Sequence, residues 1–141
     1  VNAPDNPAAD DEGRIAIAAG DRLPGIPRHR GTASGDYLAH GWQLGGDVQA
    51  ASGQYLFGDE ANLQPRTASY VIANLRGSVR LGGPVSLFGE IRNLFDRRFE
   101  SFGTFAATDE IELEEAPGAA NSRSLGPGAP RRWTVGLKAE L

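Results

Sequence analysis

Along residues 85–95 apolar side chains take alternate positions. Val85, Leu87, Gly89, Ile91 and Phe95 share one side of an extended chain; Ser86, Glu90 and Arg92 share the other, with Phe88 and Leu94 as apolar exceptions. Period-two alternation marks a strand with one apolar and one polar face. The pattern recurs elsewhere. Residues 28–39 carry it weakly, Ala33, Tyr37 and Ala39 against Arg28, Arg30, Thr32, Ser34 and Asp36, because Gly31 and Gly35 dilute the apolar side. Residues 41–57 set Trp42, Leu44, Val48, Ala50 and Leu56 against Gln43, Asp47 and Gln49. In residues 67–81, Ser69, Val71, Ala73, Leu75, Gly77, Val79 and Leu81 oppose Tyr70, Asn74, Arg76, Ser78 and Arg80, with Ile72 out of phase. Residues 131–141 alternate without fault, Trp133, Val135, Leu137, Ala139 and Leu141 against Arg132, Thr134, Gly136, Lys138 and Glu140.

The pattern predicts an all-β chain, an antiparallel meander of about five strands near 28–39, 41–57, 67–81, 85–99 and 131–141. Its connections differ in kind. Ala39-His40-Gly41 and Gly82-Gly83 are tight turns, with Pro84 tolerated at a strand start. Residues 58–66 form a polar, proline-bearing loop, residues 100–129 a long Gly/Pro/Ala-rich one, and residues 1–27 a polar loop with an acidic cluster at Asp10-Asp11-Glu12. A loop of about 30 residues is unusual in a compact domain and is normally functional or disordered. All the long connections fall on one side of the meander. Bacterial outer-membrane barrels do this, with short periplasmic turns and long extracellular loops. On that reading residues 1–27 and 100–129 are extracellular, and the last strand runs inward to the periplasmic side.

Composition narrows the choice. The 141 residues contain no Met, so the chain reads as a piece of something longer. No apolar run is long enough for a transmembrane helix, which leaves open a barrel whose strands need only ~9–11 alternating residues. The absence of Cys removes disulfides and thiolate metal sites, and a net charge of −4 with scattered arginines argues against a nucleic-acid partner.

The ending of the 85–99 segment, Asn93-Leu94-Phe95-Asp96 followed by Arg97, Arg98 and Phe99, resembles the NLFD-x-x-Y/F motif near the C-terminus of TonB-dependent outer-membrane receptors. Other stretches are similar to that family in the same order. Gly20–His29 is similar to its G-x-x-L-P-x-x-P-x-H strand entry, and Gly58–Asn62 to a G-D-E-x-N extracellular loop. Tyr70–Leu75 is similar to the Y-x-x-x-N/D-L strand before NLFD, and Gly128–Arg132, with Pro130 and Arg131, to the P-G-x-P-R that opens the last strand. One departure is the terminal Leu141, where the family usually ends in an aromatic residue.

The resemblance implies that the chain is the C-terminal arc of a 22-stranded transmembrane β-barrel, which five strands cannot close alone. It implies an outer-membrane receptor that imports a scarce nutrient, such as a ferric siderophore, haem or a cobalamin. Energy would come from the TonB–ExbB–ExbD complex through a plug and TonB-contacting segment outside this chain. The implied partners are a small-molecule ligand such as a metal chelate, and outer-membrane lipid. An open sheet with a bare apolar face is also expected to aggregate in water.

The residues fit roles of different kinds. Arg76, Arg80, Glu90 and Arg92, with Lys138 and Glu140, fall on polar faces and would point into a barrel lumen; a solvated sheet face is the plainer reading. Asp59, Glu60 and Asn62 sit at a loop tip, where extracellular ligand contact is plausible chemistry. Trp42 and Trp133 suit the two aromatic girdles of a membrane barrel. Asp109, Glu110, Glu112, Glu114 and Glu115 lack calcium-loop spacing and read as an exposed acidic loop. His29 and His40 lack the spacing of a metal pair. No arrangement suggests a nucleophile or paired carboxylates, so no catalysis and no cofactor are expected. Two alternatives share the alternation: a soluble β-sandwich ligand-binding module of the carbohydrate-binding kind, and a passive porin. A sandwich buries its apolar face against a second sheet, whereas a barrel turns that face to lipid.

Overall fold

A computed structural model describes residues 1–107 and 122–139. Among these the chain is all-β, with seven strands: β1 (Arg30–Ala39), β2 (Trp42–Ala51), β3 (Tyr70–Gly82), β4 (Val85–Arg92), β5 (Glu100–Phe105), β6 (Arg123–Pro127) and β7 (Arg132–Ala139). They fall into two compact units. One unit holds β1, β2, β3, β4 and β7, and the other holds residues 1–28, 52–68 and 100–127.

In the first unit the five strands form one antiparallel sheet in the order β1-β2-β3-β4-β7, as the alternation predicts. The sheet is not closed: β1 and β7 each have a partner on one side only. Two tight turns join β1 to β2 through His40-Gly41 and β3 to β4 through Gly83-Pro84. Each uses glycine where the backbone is left-handed, with φ of 83° at Gly41 and 53° at Gly83.

The register sorts the side chains by face. One cross-strand row reads Ala39, Trp42, Val79, Leu87, Leu137; the next reads Tyr37, Leu44, Gly77, Gly89, Val135; the next Gly35, Gly46, Leu75, Ile91, Trp133. No charged residue falls on this face, yet it is bare: Trp133 is 65% exposed, Val135 73% and Leu137 67%. A face this apolar and this exposed needs a covering that is itself apolar. The opposite face carries Asp36, Asp47, Asn74, Arg76, Glu90 and Arg92.

Two glycines on the polar face are there for space. Gly45 lies between Asp36 on β1 and Arg76 on β3. Arg76 Nη2 reaches across it to donate to both oxygens of Asp36 at 2.8 Å, and a Cβ on Gly45 would collide with that carboxylate. Gly136 on β7 stands opposite Phe88, whose ring occupies the room a side chain would take. An aromatic ring over a cross-strand glycine restores the packing the glycine lacks.

The structure departs from the sequence reading in three places. The 41–57 segment leaves the sheet at Ala51, and Leu56 is fully buried in the other unit. The 85–99 segment stops at Arg92, so Phe95 belongs to a turn and not to the apolar face. The 100–129 segment, expected to be loop throughout, contains the β5–β6 hairpin. That hairpin escapes period-two analysis because its strands are short, six and five residues, and interrupted by Gly103 and Gly126. Asp109, Glu110, Glu112, Glu114, Glu115, Glu140 and Leu141 lie outside the described residues.

Gly45→Val is expected to destabilise the folded sheet by about 1–3 kcal/mol through overpacking and loss of the ion pair. Gly31→Val, where an added Cβ meets nothing within 4 Å, should cost under about 0.5 kcal/mol. Denaturant unfolding in detergent micelles reads both.

Candidate functional site

Asn93 is the first residue after β4, and its side chain organises the exit from that strand. It is 3% exposed, with φ of 50°, a left-handed conformation that Asn tolerates better than most residues. Its Nδ2 donates to the carbonyls of Arg97 at 2.9 Å and Ala129 at 3.1 Å, while its Oδ1 accepts from the Arg97 amide at 2.9 Å. The Asn93 amide donates to Asn74 Oδ1 at 2.9 Å, and the Leu94 amide to the Ala73 carbonyl at 2.8 Å. Asp96, also left-handed, accepts from the Arg131 amide at 3.1 Å. This is a clamp joining the end of β4, the middle of β3 and the entry to β7.

The remaining motif positions complete it. Pro130 lies between Ala129, whose carbonyl Asn93 holds, and Arg131, whose amide Asp96 holds; proline favours an extended residue before it. The Arg131 guanidinium lies 6.0 Å from the centre of the Trp133 ring. Tyr70 stacks on Phe99 at 4.4 Å, and the Gly128 amide donates to the Phe99 carbonyl at 2.7 Å. The Tyr70–Leu75 and Asn93–Asp96 motifs are therefore two halves of one hydrogen-bonded structure. Phe95 is 77% exposed.

From the clamp a polar network runs back across the sheet. Asn74 Nδ2 donates to Asp47 at 2.7 Å, Gln49 donates to the same carboxylate at 3.0 Å, and Arg76 pairs with Asp47 at 3.6 Å as well as with Asp36. Glu90 pairs with Arg92 at 2.9 Å, and Arg80 stands opposite Ser86 at the turn end of the sheet. Sequence reading singled out Arg76, Arg80, Glu90 and Arg92 but missed the carboxylates Asp36 and Asp47 that Arg76 joins. Only the cross-strand register reveals that partnership; Asp36 and Arg76 are 40 residues apart.

In the second unit, three chain segments are tied together around Ile15, Leu56 and Phe105. Asp59 is fully buried, and its two carboxylate oxygens accept from the amides of Leu63 at 2.8 Å and Gln64 at 2.9 Å, closing a tight loop. Asn62 exchanges two hydrogen bonds with the Arg22 backbone, accepting at 2.7 Å and donating at 2.9 Å, which pins the first segment to the second. Gln54 donates to the Ser101 carbonyl at 3.1 Å, and Phe57 exchanges backbone bonds with Gly103 and Phe105, which pins the third. Glu60 differs from its neighbours: its Oε2 is buried and has no hydrogen-bond partner among the described residues. Among the described residues no three His, Cys, Asp or Glu side chains gather as a metal site.

An open antiparallel arc with one wholly apolar bare face, hairpin turns at one end and a clamp at the other is what a segment of membrane barrel requires. The family model for the TonB dependent receptor-like β-barrel matches residues 5–94, and the chain belongs to that family. Among curated proteins it is similar to the metal-pseudopaline receptor CntO of Pseudomonas aeruginosa, in strains UCBPP-PA14 and PAO1. Each is 29% identical over 125 residues, covering 86% of this chain and 15% of the relative. The chain thus spans about 15% of the length of these relatives. The family is one of outer-membrane receptors and transporters.

Asn93→Ala in the receptor is expected to cost about 1–3 kcal/mol, since it removes three part-buried hydrogen bonds to the backbone of Arg97 and Ala129. Asp96→Ala removes one exposed bond and should cost about 0.5–1 kcal/mol. The ratio of the two, read from unfolding midpoints, checks the assignment of the clamp.

Proposed function

We propose that this chain is the C-terminal arc of an outer-membrane importer that takes up a small metal chelate, of the ferric-siderophore class or similar. Energy reaches the receptor from the TonB–ExbB–ExbD complex through parts of the receptor outside this chain. The observation that carries the reading is the segregation of charge in the sheet: one exposed face free of charged side chains, and an opposite face of linked Asp, Arg, Asn and Glu side chains. The apolar face meets lipid, and Arg76, Arg80, Glu90 and Arg92 face a wet lumen. The similarity to a metal-pseudopaline receptor favours a metal chelate over other nutrients.

The strand directions put β1, β3 and β7 starts and β2 and β4 ends at one end of the sheet, and the long segments leave from there. That end is extracellular, so the second unit is built of extracellular loops. Within the Asp59-Glu60-Asn62 tip, Asp59 and Asn62 are committed to the loop's own hydrogen bonds, which leaves the half-buried Glu60 as the tip carboxylate for ligand contact.

Cysteines placed singly at Val135 and at Thr134 test the facing. In receptor reconstituted into liposomes, Val135→Cys should react with a lipid-soluble maleimide and resist a charged one, with Thr134→Cys showing the reverse; equal reaction at both would sink the barrel-wall reading. For the loop, Glu60→Gln is expected to weaken chelate binding about tenfold, the scale of a hydrogen bond to a charged group. Binding isotherms on whole cells read it, with unchanged surface expression as the control.

A further inference from the structure

On the polar face of the five-stranded sheet two like charges stand against each other. Arg92 on β4 and Arg132 on β7 are directly opposite in the antiparallel register, so both side chains rise from the same face. Side chains opposed in this way start roughly 5 Å apart, and like charges so placed destabilise a sheet. Both arginines are exposed. Arg92 donates from Nε to Glu90 Oε1 at 2.9 Å, which leaves its two Nη groups open. Arg132 has no ion pair among the described residues.

The carboxylates of this face are engaged elsewhere. Asp36 and Asp47 hold Arg76, Asp47 also accepts from Gln49 and Asn74, and Glu90 holds Arg92. Arg30 and Arg80 fall on the same face, so cations outnumber carboxylates there, although the chain as a whole has a net charge of −4. The clamp holds the opposed pair in place from both sides. Arg92 is the last residue of β4, with Asn93 next in the chain. Arg132 is the first residue of β7, and the Arg131 amide before it is held by Asp96 at 3.1 Å. The pair therefore forms the outermost row of the β4–β7 ladder, at the end from which the long segments leave.

We infer that Arg92 and Arg132 together bind a carboxylate of the imported chelate, which makes the substrate an anionic, carboxylate-bearing metal chelate. A guanidinium presents parallel N–H groups that match the two oxygens of a carboxylate, and Arg132 has its whole fork to offer. An anion between the two side chains turns their repulsion into attraction. A ligand entering from outside meets this row first. The site rests on the reading of the polar face as lumen, which the cysteine pair tests separately.

Isothermal titration of the purified full-length receptor in detergent tests it with two inert probes. Cobalt(III)–EDTA is anionic and carries carboxylates; cobalt(III) tris-acetylacetonate is neutral and carries none. The parent should bind cobalt(III)–EDTA, with an affinity that falls as salt rises. Arg132→Gln leaves the Glu90–Arg92 pair intact and should weaken that binding about tenfold, the scale of a hydrogen bond to a charged group. Arg132→Lys should restore part of it, since it keeps the charge without the fork. Neither variant should alter the response to the neutral probe. A parent that does not bind cobalt(III)–EDTA overturns the site, as does an Arg132→Gln receptor that binds it as well as the parent. Unchanged binding with a lowered unfolding midpoint in Arg132→Gln would assign the pair to a carboxylate of the receptor's own chain outside this arc, and equally overturn it.

Discussion

A single buried amide holds the sheet's upper end together. Where β4 ends, the chain must leave the ladder, and its backbone groups lose their strand partners. Asn93 replaces them. Its side chain takes two carbonyls and one amide from segments on either side of the gap, and its own amide is taken by Asn74 of β3. An amide is the side chain that can do this, since it has donors and an acceptor on one planar group. A carboxylate would have no donors for the Arg97 and Ala129 carbonyls.

Because the clamp fixes where β7 begins, it fixes the register of the last strand, and the register decides every contact on both faces. A slip of one residue would carry Trp133, Val135 and Leu137 to the polar side. With the observed register every charged residue of the sheet falls on one face, and glycine appears where neighbours need room. Gly45 lets Arg76 reach Asp36 over an intervening strand, and Gly136 receives the Phe88 ring. The ion pairs are partly exposed, and each adds little stability alone. Their effect is to link β1, β2 and β3 on the side away from the apolar face.

The loop unit follows a different logic. It has few apolar residues in its core, Ile15, Leu56 and Phe105 among them, and gains its shape from side chains bonded to backbone. Asp59 closes its own loop, Asn62 acts as a strand-like partner for Arg22, and Gln54 reaches Ser101. Polar residues that sequence analysis marks as candidates for ligand contact thus divide into those already committed to the fold and one, Glu60, with a buried oxygen that has no hydrogen-bond partner among the described residues.

The five strands of the main sheet, their order and the apolar side of each were legible in the sequence, because a period of two is a property of neighbouring residues and needs no knowledge of the rest of the chain. The motif Asn93–Asp96 was legible as a resemblance, but its work was not, since its partners Asn74, Ala129 and Arg131 are distant in sequence. The same holds for Asp36 with Arg76 and for Gly45 between them. The β5–β6 hairpin and the early end of β2 were also decided by tertiary contacts: Leu56 alternates correctly for a strand, yet it is buried against Gly103 in another part of the chain. Local pattern determines which face a side chain can occupy. Which side chains meet there is set by register, and register belongs to the assembled sheet.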